Sequence, residues 1–193
     1  MISILGQTSC GASIRTSGAS NFNGEAAGEA CFLADTLVHT NDGLKPIEDI
    51  RVGDLVLSFP EDETLPAHPR TKEELYFRAV TETFVQNDQP FCELTYANPG
   101  ERRPPPIRVT PGHPIFTKRR SWTSVCNLQT GDVVFNSNFG GMVVTGVSLT
   151  KGIARVHNIE VSEHHTYYVA KSGLWVHNTH LARSAVTPSS YGC

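Results

Sequence analysis

The sequence predicts an all-β fold, and three observations carry that expectation. From Cys31 onward the chain is a succession of short apolar runs closed by turn residues, such as Asn41-Asp42-Gly43. No segment sustains the 3.6-residue apolar period of a long amphipathic helix; Pro46 to Ile50 and Thr71 to Leu75 offer one turn each. Finally, a phrase recurs. Ile50-Arg51-Val52-Gly53-Asp54-Leu55-Val56-Leu57 and Leu128-Gln129-Thr130-Gly131-Asp132-Val133-Val134-Phe135 share an apolar residue, two variable positions, Gly-Asp and three apolar residues. Upstream, Thr36 to Thr40 matches His113 to Thr117 at nearly equal distance from its Gly-Asp. Two related halves are expected, Cys31 leading one and His113 opening a strand in the other.

In order along the chain, residues 1–30 are rich in Gly, Ala, Ser, Asn and Thr and read as a flexible flank. Strands are expected over 36–40, 55–59, 79–85, 91–96, 107–110, 133–135, 142–149, 156–161 and 166–170. Pro60 to Tyr76 and Asn98 to Pro106, the latter with three consecutive prolines, read as surface loops too short for an inserted domain. Residues 179–193, Ser/Thr-rich, form a second flank.

A chain of 193 residues holds one substantial domain or two small ones. With 16 Lys+Arg against 19 Asp+Glu, nothing argues for a nucleic-acid or membrane partner, and Lys118-Arg119-Arg120 reads as a solvated hairpin face. No apolar stretch approaches the ~20 residues of a membrane span. The opening residues lack the basic region and apolar core of a signal peptide. Five cysteines, an odd number, stand at 10, 31, 92, 126 and 193 without a CxxC, so neither a disulfide framework nor a zinc ribbon is indicated. Cys92 and Cys126 read as small core residues.

Two boundaries carry chemistry. At one end, Cys31 follows Ala30, and a cysteine can turn the peptide bond before it into a thioester. A free thiol has a pKa of ~8.5 and the exchange is uphill, so a proton donor for the leaving nitrogen and donors for the oxyanion are needed. Thr110-Pro111-Gly112-His113 offers a hydroxyl, a backbone amide and an imidazole within four residues. Taken alone, a tetrapeptide of this kind is weak, and a lone histidine there is more often structural. At the other end, Asn178 can attack its own main-chain carbonyl, close a succinimide and release Thr179. His177 is adjacent and suited to proton transfer by its ordinary pKa of ~6.5. His164-His165 reaches the same place if residues 156–170 pair beside the terminus, and otherwise forms an exposed turn. His39, His68, His157 and His180 read as structural or exposed.

Cys31 with Phe32-Leu33-Ala34-Asp35-Thr36, Thr110-x-x-His113, Asn158-Ile159-Glu160-Val161 through His165-Thr166-Tyr167-Tyr168-Val169, and Val176-His177-Asn178-Thr179 together resemble the ordered blocks of inteins. More narrowly, the chain resembles bacterial intein-like and pretoxin Hint domains. The resemblance runs from Cys31 to Asn178. It implies a horseshoe-shaped β-fold with pseudo-twofold symmetry and no endonuclease insert, in agreement with the repeat. It also implies autocatalytic cleavage or splicing. Cys31 would be the first nucleophile, Thr110 and His113 would activate the Ala30–Cys31 bond, and His165 and His177 would assist cyclisation of Asn178. Thr179 stands where splicing members place a second nucleophile. No cofactor or metal is expected. The substrate would be the chain's own flanks, in a monomer working in a bacterial cytoplasm or within a secreted or surface parent. Two departures bear on coupling: Asn158 replaces a common aspartate, and Thr179 offers a poorly acidic secondary alcohol. Cleavage at either end should therefore compete with ligation. Two rival readings are a Hint fold kept as an inactive interaction module and a metal-binding module using Cys31, His165 and His177.

Overall fold

A computed structural model of the chain describes residues 30–61, 76–98, 103–118 and 121–178. These contain β1 (Phe32–Leu33), β2 (Leu37–Thr40), β3 (Gly43–Pro46), β4 (Leu55–Ser58), β5 (Tyr76–Ala97), β6 (Ile107–Val109), β7 (Pro114–Thr117), β8 (Ser121–Ser124), β9 (Val133–Phe135), β10 (Gly141–Val161), β11 (Thr166–Val169) and β12 (Leu174–His177). The expected helical turn at Pro46 to Ile50 forms as a 3-10 turn over Ile47–Asp49, with a counterpart over Val125–Asn127. The turn expected at Thr71 to Leu75 lies outside the described residues.

The sequence repeat is a structural repeat, matched hydrogen bond for hydrogen bond. In the first half the Gly53 N–H donates to the Val80 carbonyl at 2.9 Å and the Val80 N–H returns to Asp54 at 2.9 Å. In the second, Gly131 donates to Val144 at 2.9 Å and Val144 returns to Asp132 at 2.8 Å. Each aspartate closes its own turn through a carboxylate oxygen, Asp54 on the Arg51 N–H and Asp132 on the Gln129 N–H, both at 2.8 Å. Lys45 and Arg51 beside Asp54 hold its carboxyl below the ordinary carboxylate range, the Lys45 hydrogen bond contributing most. Gly53 and Gly131 sit at φ +93° and +96°, where a side chain is strained. This explains why Gly-Asp recurs. The upstream match holds as well. The Thr36 carbonyl accepts the Ile47 N–H at 2.8 Å, as the His113 carbonyl accepts Val125 at 3.0 Å.

Each half is then a hairpin, a 3-10 turn, a short strand and a long one: β2–β3–β4–β5 and β7–β8–β9–β10. The long strands join the halves by pairing antiparallel with each other. Here the structure departs from the sequence expectation. The runs 79–85 and 91–96 are one strand, β5, and the runs 142–149 and 156–161 are one strand, β10. The polar intervals that looked like breaks are absorbed by register shifts. From Leu149↔Cys92 to Ile153↔Pro90, β10 advances four residues against two on its partner, and Asp88 takes φ +56°. Such bulges bend strands that would otherwise run straight out of the fold. The sheet closes on itself through Val169↔Val38.

One continuous core fills the interior, with Phe32, Tyr96, Ile115, Tyr167 and Leu174 all essentially inaccessible. Cys92 belongs to it, as expected, while Cys126 is half-buried. A second cluster gathers Phe59, Phe139, Tyr168 and Trp175, with Phe116 and Trp122 packed against it. β1 and β12 run through this interior, and with them the residues at both boundaries.

Candidate active site at the junction of the chain ends

β1 lies between β10 and β6, and β12 lies between β11 and β7. The Thr110–His113 turn is the only chain between β6 and β7, so one four-residue segment touches both boundary strands. The register Phe32↔Val109, extended by one residue, sets Thr110 abreast of Cys31. The register Val176↔Ile115, extended by two, sets His113 abreast of Asn178.

At the first boundary Ala30 and Cys31 are buried. The Thr110 hydroxyl oxygen lies 2.9 Å from the Cys31 nitrogen and 3.2 Å from the Cys31 carbonyl oxygen, accepting from the first and donating to the second. The Thr110 N–H also donates to the Cys31 carbonyl at 2.9 Å. The nitrogen that must leave in a thioester exchange is thus already held by a hydroxyl. The β1–β10 register, extended by one residue, places Asn158 abreast of Cys31, and Asn158 Oδ1 accepts the Tyr167 hydroxyl at 2.9 Å. Burial first, then the Cys31 charge and the Glu160 charge, push the Tyr167 phenol well above its ordinary range, so it stays a donor. None of the described cysteines is in a disulfide.

His113 is fully buried, its ring 4.2 Å from that of Phe32, and neither ring nitrogen has a hydrogen-bond partner among the described residues. Burial pushes its pKa down to about 3, with the His177 charge as the second cause. A neutral imidazole therefore stands between the two boundaries.

At the second boundary Asn178 is buried, and its N–H donates to the His165 carbonyl at 2.9 Å. Its side-chain Nδ2 and Oδ1 have no partner among the described residues. Leaving a buried amide unsatisfied costs about 1–3 kcal/mol per group, so this primary amide is poised rather than tied into a network. His177 meets Glu61 through Nε2, and its ring stands 5.0 Å from that of Trp122. His165 is half-exposed, with Nδ1 at 2.8 Å from Glu160 Oε1; its contact with Asn178 is through the backbone. His164 faces another way, buried with Nδ1 at 3.1 Å from the Ser58 hydroxyl and its ring against Tyr76. His39 is structural, its Nε2 donating to the Ala170 carbonyl at 2.7 Å. Thr179, His68 and His180 lie outside the described residues.

Cys31, Thr110, His113, His177 and Asn178 are therefore brought to one junction. Sequence reading gave no site role to Glu61, Trp122 or Tyr167, although Tyr167 stands within a block that carries the resemblance. The Glu61–His177 contact spans 116 positions, and no local pattern marks it. Among the described residues no three His, Cys, Asp or Glu side chains converge to hold a metal ion, so Cys31, His165 and His177 do not form a ligand set.

Solved structures share this architecture. A bacterial intein-like domain from Clostridium thermocellum is 29% identical, with a TM-score of 0.63, covering 77% of this chain and 98% of that one. A DnaB intein from Synechocystis sp. PCC 6803 is 15% identical at a TM-score of 0.62, covering 79% of this chain and all of that one, and speaks for the fold alone. No curated protein sequence matches the chain. The fold is thus the horseshoe-shaped, pseudo-twofold β architecture of intein-like domains, without an endonuclease insert. A family model described as the pretoxin Hint domain matches residues 37–179, and the chain belongs to that family.

Proposed function

We propose that residues 31–178 form a self-processing domain that cuts its own backbone at Ala30–Cys31 and at Asn178–Thr179, with residues 1–30 and 179–193 as its substrate flanks. The observation that carries this reading is the Thr110–His113 segment, which reaches the leaving nitrogen of one bond with its first residue and the neighbourhood of the other with its last.

In the first reaction the Cys31 thiol gives up its proton and Sγ attacks the Ala30 carbonyl carbon. The Ala30–Cys31 C–N bond breaks, the nitrogen takes a proton, and Ala30 is left as a thioester on Cys31. Neutral His113 can accept the thiol proton and return it to the nitrogen, which an imidazolium cannot do. Thr110 orients that nitrogen from 2.9 Å. In the second reaction Asn178 Nδ2 attacks the Asn178 carbonyl carbon. The bond to Thr179 breaks, its nitrogen takes a proton relayed by His177, and Asn178 ends as a succinimide. His165, pinned by Glu160, holds the Asn178 backbone and serves the same proton traffic. If the Thr179 hydroxyl captures the thioester before water does, the Cys31 thiol leaves and Ala30 becomes an ester on Thr179, which rearranges to a peptide bond once Asn178 cyclisation frees the Thr179 nitrogen; with a secondary alcohol there and Asn158 beside Cys31, cleavage competes with joining. Each chain reacts once, as a monomer, without a cofactor.

The test is single replacement under reducing conditions, with fragments weighed. Cys31→Ala should abolish the fragment ending at Ala30 and keep the one beginning at Thr179; Asn178→Ala should do the reverse. Fragments that persist in the matching variant would exclude the assignment.

A further inference from the structure

Built on that functional reading, we infer that Glu61 is a positioning residue for the C-terminal cut. It selects the tautomer of His177. Glu61 lies just beyond β4, and its carboxylate meets His177 Nε2 although it is 39% exposed, while the His177 side chain is only 16% exposed. A carboxylate can only accept, so the proton it meets on a neutral ring is Nε2–H. That leaves Nδ1 as the basic nitrogen. Nδ1, the ring nitrogen nearer the main chain, can then take the proton that Asn178 Nδ2 gives up in its attack and pass it to the leaving Thr179 nitrogen. Trp122 stands edge-to-face with the ring at 5.0 Å and an interplanar angle of 76°, limiting its rotation. His177 is thus held by a carboxylate at one nitrogen and an aromatic wall at its flank, and it delivers its chemistry through the other nitrogen. His113, a titratable group in reach of His177, is neutral and does not compete for the Glu61 charge.

The experiment uses the full chain. Glutamine at position 61 keeps the shape but offers both an acceptor and a donor, so it no longer selects a tautomer; alanine offers neither. Glu61→Gln should slow release of the fragment beginning at Thr179 by roughly tenfold and Glu61→Ala by roughly 100-fold, no more than the lower end of the 10²–10⁴-fold that general acid–base catalysis supplies. Thiol-dependent cleavage at Cys31, measured in the same samples, should keep its wild-type rate and so reports that the fold is intact. Imidazole ¹⁵N shifts of the non-cleaving Cys31→Ala, Asn178→Ala chain supply a readout independent of activity. They should show His177 as the Nε2–H tautomer, and a mixed population once Glu61→Gln is added. Unchanged shifts and an unchanged C-terminal rate would overturn the assignment of Glu61. A wild-type chain that never cuts at Asn178, yet shows the Nε2–H tautomer and its loss in Glu61→Gln, would instead overturn the functional reading while supporting the tautomer lock.

Discussion

Thr110 does two jobs with one hydroxyl, accepting from the Cys31 nitrogen and donating to the Cys31 carbonyl. Thr110→Val keeps the shape and removes both. It should slow thiol-dependent cleavage at Ala30 by roughly 10²-fold, the scale of losing one preorganised hydrogen-bonding group, with little change in the cut at Asn178. A time course of both fragments checks this, and equal slowing of the two would point to a general fold defect. At this scale the sequence was informative wherever chemistry depends on residue type. A cysteine, a hydroxyl residue, a histidine and an asparagine followed by Thr announce what they can do. It was silent where function depends on a distant partner. Glu61, just beyond β4, and Trp122, on β8, contact His177 from distant parts of the sequence, and nothing in Pro60-Glu61 or Ser121-Trp122 distinguishes them from ordinary loop and hairpin residues.

At the scale of elements, the two Gly-Asp turns are equivalent down to their hydrogen bonds, so they should respond alike to the same change. Added methyl groups at Gly53 and Gly131 would meet nothing within 4 Å, which leaves backbone strain as the whole effect. Gly53→Ala and Gly131→Ala should each destabilise the fold by about 1–2 kcal/mol, the cost of a left-handed backbone for an L-residue. Denaturant midpoints in the non-cleaving Cys31→Ala, Asn178→Ala background would show it; a null effect at one turn only would break the equivalence. The turns were legible because Gly-Asp is a local necessity. The continuity of β5 and β10 was not. Gln86 to Pro90 and Thr150 to Gly152 have the composition of turns and become strand only because each faces the other strand across a bulged register. β1, β3, β8 and β12 were missed as well: two to four residues each, they are too short to show a pattern of their own and hold their form by pairing with neighbouring strands.

For the whole molecule, the burial of His113 couples folding to pH. Its pKa falls to about 3 in the folded chain, against about 6.5 when unfolded. Between these values the unfolded chain binds the extra proton, so stability rises with pH across that window, by up to about 1.4 kcal/mol per unit. The stabilisation is complete above pH 6.5 and is lost as pH falls toward 3. His113→Gln in the non-cleaving background should flatten this slope in pH-resolved denaturation; an unchanged slope would place the acid sensitivity elsewhere. The same burial puts a neutral imidazole between the two ends of the domain, which pseudo-twofold folding has brought together on one turn. Intact-mass analysis of the wild-type chain held in thiol at neutral pH tests that convergence most directly. The expected product is a released fragment that begins at Cys31 and ends at Asn178, one water lighter than the free acid because Asn178 has closed to a succinimide. A chain that keeps its full mass under those conditions would contradict it.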